Sequence, residues 1–111
     1  MSQRTKLRNR ARRRLGRLPP TPEFIRFGSL FHQDIDFRCD GLEKVVGDVA
    51  RTFRGEDRKR LYHFVGQILQ SDLAPDELDK LWRLTQSDIY INPEGLRFFF
   101  TLVRDHLRKG L

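Results

Sequence analysis

The breaks in the apolar pattern constrain this chain more than any other feature. Proline or glycine interrupts it at Pro19-Pro20, Pro22, Gly55, Pro75 and Pro93, and between those breaks apolar residues recur at three- and four-residue spacing. Each stretch is too short to hold a helix by itself in water, so the stretches must bury their apolar faces against one another. The fold class expected is therefore all-α: a small irregular bundle of about five helices sharing one core of phenylalanine and leucine.

The individual stretches carry start signals. Thr21 and Pro22 read as the N-cap and first position of a helix reaching about Leu30, with Phe24, Phe27 and Phe31 on one side. Asp40 is placed to cap a second helix, with Glu43 three residues later completing a reciprocal capping box. Leu42, Val45, Val46, Val49, Ala50 and Phe53 repeat along its inner face. Gly47 within it either costs about 1 kcal/mol relative to alanine or permits a close helix crossing. Leu61, Phe64, Val65, Ile68 and Leu69 define a third face. Pro75, followed by Asp76 and Glu77, opens a fourth helix whose inward residues are Leu78, Leu81, Trp82 and Thr85. Asn92-Pro93-Glu94 opens the last helix, with Leu96, Phe99, Phe100, Val103 and Leu107 inward and Arg108 and Lys109 at its electronegative end. Asp88-Ile89-Tyr90-Ile91 alternates like a strand but has no partner, and reads as an extended connector. Trp82, Tyr62 and Tyr90 are secondary contact candidates, each expected in the core or half-buried, and the pair Phe98 and Leu102 either faces out or buries a second side of the last helix.

Charge divides the chain. The formal net charge is +7, yet eight of the 22 basic residues and none of the 15 acids fall in the first 20 positions, which leaves 14 bases against 15 acids in the rest. Residues 1–20 are read as a basic flexible tail, because like charges at helical spacing oppose helix formation. Residues 21–111 are read as a single helical domain, the most that this length allows. One cysteine, Cys39, excludes an internal disulfide and fits a reducing compartment; its expected role is that of a small, partly buried hydrophobe. The opening residues lead into no apolar run, and the longest such run is Phe98-Phe99-Phe100, so neither a signal nor a membrane span is expected and the location expected is cytoplasmic.

For chemistry the sequence offers His32, Asp34 and Asp36, with Cys39 nearby and His63 and His106 elsewhere. Histidine and carboxylates suit a divalent metal or proton exchange. In an extended segment the three would share a face, whereas a compact turn would scatter them, and no strand partner is on hand to hold the first geometry. The reading is structural: Asp34 or Asp36 accepts backbone N–H bonds at a helix boundary, and His32 packs its ring beside a carboxylate. Gly41, Gly47, Gly55 and Gly66 are dispersed rather than grouped into a phosphate loop, there is no paired-cysteine zinc pattern, and nothing marks Ser29, Ser71 or Ser87 as activated. No metal, no cofactor and no catalytic residue are expected; the chain is read as not an enzyme.

The stretch Phe31-His32-Gln33-Asp34-Ile35-Asp36 resembles a motif of the immunity proteins of bacterial contact-dependent growth inhibition systems, in the branch that carries Tyr/Phe-Phe-His-Gln-Asp-Trp-Asp before an all-helical body. Ile35 stands where that family more often has tryptophan. The resemblance extends over about residues 24–111, with the segment Leu96 to Leu107 similar to the family's last helix. It implies a non-catalytic protein that binds one cognate toxin domain as a 1:1 complex and masks its active region. Since toxin domains that act on nucleic acid commonly present basic surface, the toxin-binding candidates are the acids Asp34, Asp36, Asp40, Asp72, Asp76 and Asp79.

A rival reading starts from Arg4, Lys6, Arg8, Arg10, Arg12, Arg13, Arg14 and Arg17, which could contact several phosphates of a nucleic acid without reading bases. The remaining residues, with bases and acids interspersed and no aromatic ribbon for stacking, add nothing to it. A small helical adaptor would share every structural expectation above. Oligomeric state is left open, although an outward Phe98 and Leu102 would favour self-association.

Overall fold

The computed structural model describes residues 18–31 and 41–111. His32, Gln33, Asp34, Asp36, Cys39 and Asp40, and the whole basic run from Arg4 to Arg17, lie outside the described residues. Within them the chain forms five α-helices and no strand: α1 (Pro22–Ser29), α2 (Leu42–Ala50), α3 (Gly55–Gln70), α4 (Pro75–Arg83) and α5 (Leu96–Arg108), the last entered through a 3-10 turn over Pro93–Gly95. The all-α expectation holds.

Helix α1 begins as its sequence dictates, with the Thr21 hydroxyl accepting from the Phe24 N–H at 3.1 Å and Pro22 in the first turn. Its eight residues bury Phe24 and Phe27, and Phe31 just beyond is equally enclosed. The start of α2 departs from expectation. Its N-cap is Gly41 at φ 78°, one residue after the expected Asp40, and glycine has no side chain to cap with. The positive φ explains the shift: glycine enters that region at no steric cost and turns the chain directly into Leu42. Helix α4 starts at Pro75 with the Ala74 N–H donating to Glu77 Oε1 at 2.9 Å, which satisfies one amide that the helix cannot. Asn92 accepts from the Glu94 N–H at 3.0 Å as expected, but it caps the 3-10 turn, and the α-helix proper begins at Leu96.

Helix α5 is central, packing against α2, α3 and α4, while α1 lies on α3. Its buried residues are those the spacing indicated: Leu96, Phe99, Phe100, Val103 and Leu107. Trp82 sits among five phenylalanine rings, with centroid separations of 5.2 Å to Phe99 and 5.8 Å to Phe31, all near edge-to-face. Gly47 is where α2 and α5 approach: a Cβ there would lie 3.1 Å from His106 Cε1, so the close-crossing explanation for this glycine is the right one. Gly28 marks a tighter approach, of α1 to Thr85 beyond the end of α4.

Two arginines tie the helix ends together. Arg58 donates to the carbonyls of Ala50 (2.9 Å), Phe53 (3.0 Å), His106 (2.8 Å) and Leu107 (2.9 Å), joining α3 to the C-terminal ends of α2 and α5. Arg97, in the first turn of α5, donates to Leu69 (3.2 Å), Ser71 (2.8 Å) and Leu73 (3.0 Å), holding the α3–α4 connection. These charge-assisted bonds engage carbonyls around the helix ends; the Ala50 and Leu107 carbonyls additionally accept the turn N–H groups of Phe53 and Gly110. Arg97→Ala is expected to cost about 2 kcal/mol, read as a lower urea midpoint with an unchanged slope. Arg97→Lys should recover less than half of it, because a single ammonium lacks the planar fork.

Candidate functional site: an acidic groove with an exposed tyrosine

From Ser71 to Gly95 the chain carries six acids (Asp72, Asp76, Glu77, Asp79, Asp88, Glu94) and two bases (Lys80, Arg83), so this quarter of the domain is negative although the chain as a whole is basic. Helix α4 buries Leu78, Leu81 and Trp82 and turns its charges outward, as an amphipathic helix of this phase must. After α4 the Thr85 hydroxyl donates to the Trp82 carbonyl at 2.6 Å, and Gln86 takes a left-handed φ of 59°, which reverses the chain into the 88–91 connector.

Between α4 and that connector runs a groove of about 320 Å³ lined by Asp79, Trp82, Arg83, Ser87, Asp88, Ile89, Tyr90 and Ile91. The connector is extended as expected. The Asp88 N–H donates to the Phe31 carbonyl at 3.2 Å, and Ile89 and Ile91 are half-buried while Asp88 and Tyr90 face out. Tyr90 is 72% exposed, which corrects the expectation that it is core or half-buried: alternation along an extended segment puts it on the opposite side from the two isoleucines. Leu84, at the end of α4, is 51% exposed. Trp82 reaches the groove from the core, and its buried indole N–H has no acceptor among the described residues.

The six acids expected to contact a partner fare differently. Asp34, Asp36 and Asp40 are outside the described residues. Asp72 lies exposed on the α3–α4 connection, and Asp76 is exposed in the first turn of α4. Asp79, three residues on and on the same face as Asp76, lines the groove but is only 16% exposed and is held by Arg83 Nε at 2.9 Å, so it presents an ion pair rather than a free carboxylate. Of the motif residues, Phe31 is described: it is fully buried between Phe27, Trp82 and Phe99, so its role is in the core and not at a surface. Arg83, Leu84 and Asp88 were not singled out as contacts from sequence, and Tyr90 was only a secondary contact candidate expected in the core or half-buried. For Asp88 and Tyr90 the period-two pattern of residues 88–91 was the signal, and it shows sidedness without saying which side is covered.

His63 is exposed on α3 and His106 half-buried on α5. Among the described residues no three histidine, cysteine or acidic side chains are grouped to hold a metal ion, and no helix is long and apolar enough to cross a membrane. Phe98 is 68% exposed, whereas Leu102 is half-buried against the core, so the pair splits instead of forming one outward patch. No family model matches the chain, and neither the curated proteins nor the solved structures provide a match. What the fold and the groove define is a small all-α domain with an acidic, aromatic-bearing face.

Proposed function

We propose that this is a non-catalytic binding protein, an immunity protein that occupies and masks the toxin domain of a contact-dependent growth inhibition effector, and that Tyr90 and the acids of the α4 groove take part in the contact. The observation that carries the reading is Tyr90, a large amphipathic side chain left mostly in solvent on the rim of a groove where Arg83 neutralises Asp79 and Asp88 remains as an exposed acid, within a segment that is acidic as a whole. Exposed tyrosine at the centre of a contact typically supplies much of its affinity, and like-signed charges around it set encounter rate and selectivity for a basic partner. The Phe-His-Gln-Asp motif supports the same reading, because the Phe31 carbonyl bonded to Asp88 places its first residue directly beside the connector.

The test is calorimetric titration of the full chain against the C-terminal domain of the exported effector encoded next to it. Saturable 1:1 binding is expected, weakened at least about thirtyfold by Tyr90→Ala and less by Asp88→Ala, whose effect should shrink as salt is raised. Asp34→Ala and Asp36→Ala in the same assay report on the motif acids. Absence of binding by a chain that circular dichroism shows to be folded would sink the proposal.

A further inference from the structure

A second cavity lies on the basic side of the domain and belongs to neither the groove nor the motif. It has a volume of about 450 Å³ and opens where the C-terminal ends of α2 and α5 meet the N-terminal end of α3. Arg51 and Lys109, the C-cap residues of α2 and α5, line it together with Arg54, Arg58 and His106, and among the described residues no carboxylate does. Gly47, Gly55, Gly110 and Phe53 supply the remaining wall.

The nearby acids are engaged away from the cavity, save Asp48 and Glu43, which reach the lining residues Arg51 and His106. Asp57 is paired with Arg26 at 3.0 Å, and Asp105 with Arg108 at 3.1 Å. Glu56 lies 3.7 Å from Lys59, and Glu43 lies 3.8 Å from His106 Nε2. Asp48 alone reaches a lining cation: it accepts from Lys44 at 3.1 Å and from Arg51, and the Lys44 hydrogen bond, together with both positive charges, holds its carboxyl below the usual range. Arg54 and Lys109 form no ion pair among the described residues. Four cations less the Asp48 charge, with about half a negative charge from each of two helix C-termini and half a positive charge from one N-terminus, leave a local charge of roughly +2.5.

We propose that this cavity binds a phosphate-bearing ligand, with Arg54 and Lys109 as the recruiting cations and Arg58 as a fixed positive wall. Charge decides for phosphate over carboxylate: a monoanion would leave most of the local excess in place, whereas a di- or trianion cancels it. Guanidinium groups also match phosphate oxygens in a two-point geometry. Volume decides for more than one small oxyanion, since the cavity falls within the range of small-molecule sites. Arg58 is immobilised by its four carbonyl bonds, so its charge stands in the wall with no side-chain ordering left to offset.

The probes are inorganic pyrophosphate and, separately, a short single-stranded oligonucleotide, each titrated calorimetrically into the full chain. Two variants accompany it: Arg54→Gln with Lys109→Gln, and Arg12→Gln with Arg13→Gln and Arg14→Gln. Saturable 1:1 pyrophosphate binding that weakens at least about tenfold per cavity cation removed, with the second variant unaffected, supports the site and a small phosphorylated ligand. Oligonucleotide binding that depends on Arg54 and Lys109 while pyrophosphate fails to bind supports the site with a nucleic-acid backbone as the phosphate source. The proposal is overturned if neither probe titrates saturably, or if binding survives in the cavity variant and disappears with the three N-terminal arginines. Arg54 and Lys109 are exposed and form no ion pair among the described residues, so the cavity variant is expected to keep the parent melting temperature.

Discussion

Gly28→Ala is expected to destabilise the domain by about 3 kcal/mol, enough to lower the melting temperature by roughly 12 to 20 °C. The sign is informative, because alanine within a solvent-exposed helix would stabilise it by about 1 kcal/mol over glycine. Here a Cβ would come 2.1 Å from Thr85 Oγ1 and 2.3 Å from Thr85 Cβ, distances no pair of heavy atoms in this arrangement can keep. Relief requires α1 to lift off the turn after α4, and Phe24 and Phe27, both fully buried on that helix, would lift with it. Thr85→Gly in the same chain removes every atom in conflict, so the double variant should be more stable than Gly28→Ala alone, with a coupling of about 2 kcal/mol in a double-mutant cycle. Equal stability of parent and Gly28→Ala in thermal and urea unfolding would show that α1 does not depend on this approach.

Arg58→Ala should have a comparable effect, about 3 kcal/mol, through a different cause. The guanidinium is part-buried and serves four carbonyls, on α2, on the turn after it and on α5, of which those of Ala50 and Leu107 also accept a turn N–H, from Phe53 and Gly110. Charge-assisted bonds of this kind are individually worth more than neutral ones, but they share one side chain and do not add, which keeps the expected figure well below four separate losses. Arg58→Lys retains the positive charge near two helix C-termini and should restore less than half of the stability, since an ammonium cannot span carbonyls on three segments. Full restoration by lysine in chemical unfolding would mean that charge, not the fork, holds these ends.

Much of the helix pattern was legible from spacing alone. Leu61, Phe64, Val65 and Ile68 on α3, and the inward set of α5, are buried as their three- and four-residue recurrence requires. The starts at Thr21 and Pro75 were equally readable, because capping residues and proline act within a single turn and need nothing from the rest of the fold, whereas Asn92 caps a 3-10 turn and the last α-helix follows from Leu96. The start of α2 was not: Asp40 and Glu43 had the right types and spacing, yet the left-handed backbone at Gly41 placed the boundary one residue later. Tyr90 was misjudged for a related reason. Flanking isoleucines argue for burial of the segment, but only the packing of the connector against α4 decides which side is covered.

The sequence by itself determined the class of fold, the location of most helices and the faces they bury, since local propensity and apolar periodicity act over a few residues. Tertiary structure decided everything that depends on residues far apart in the chain. Arg58 and Arg97 look like surface charges in a helical pattern until the ends of other helices deliver carbonyls to them. Gly28 looks dispensable until Thr85 arrives against it. The acidic groove and the basic cavity exist only because folding brings α4 beside its connector, and α2, α3 and α5 to one corner. The physical reason is range: hydrogen bonds and steric contacts act over a few ångströms, and which groups come that close is set by how the five helices share one core.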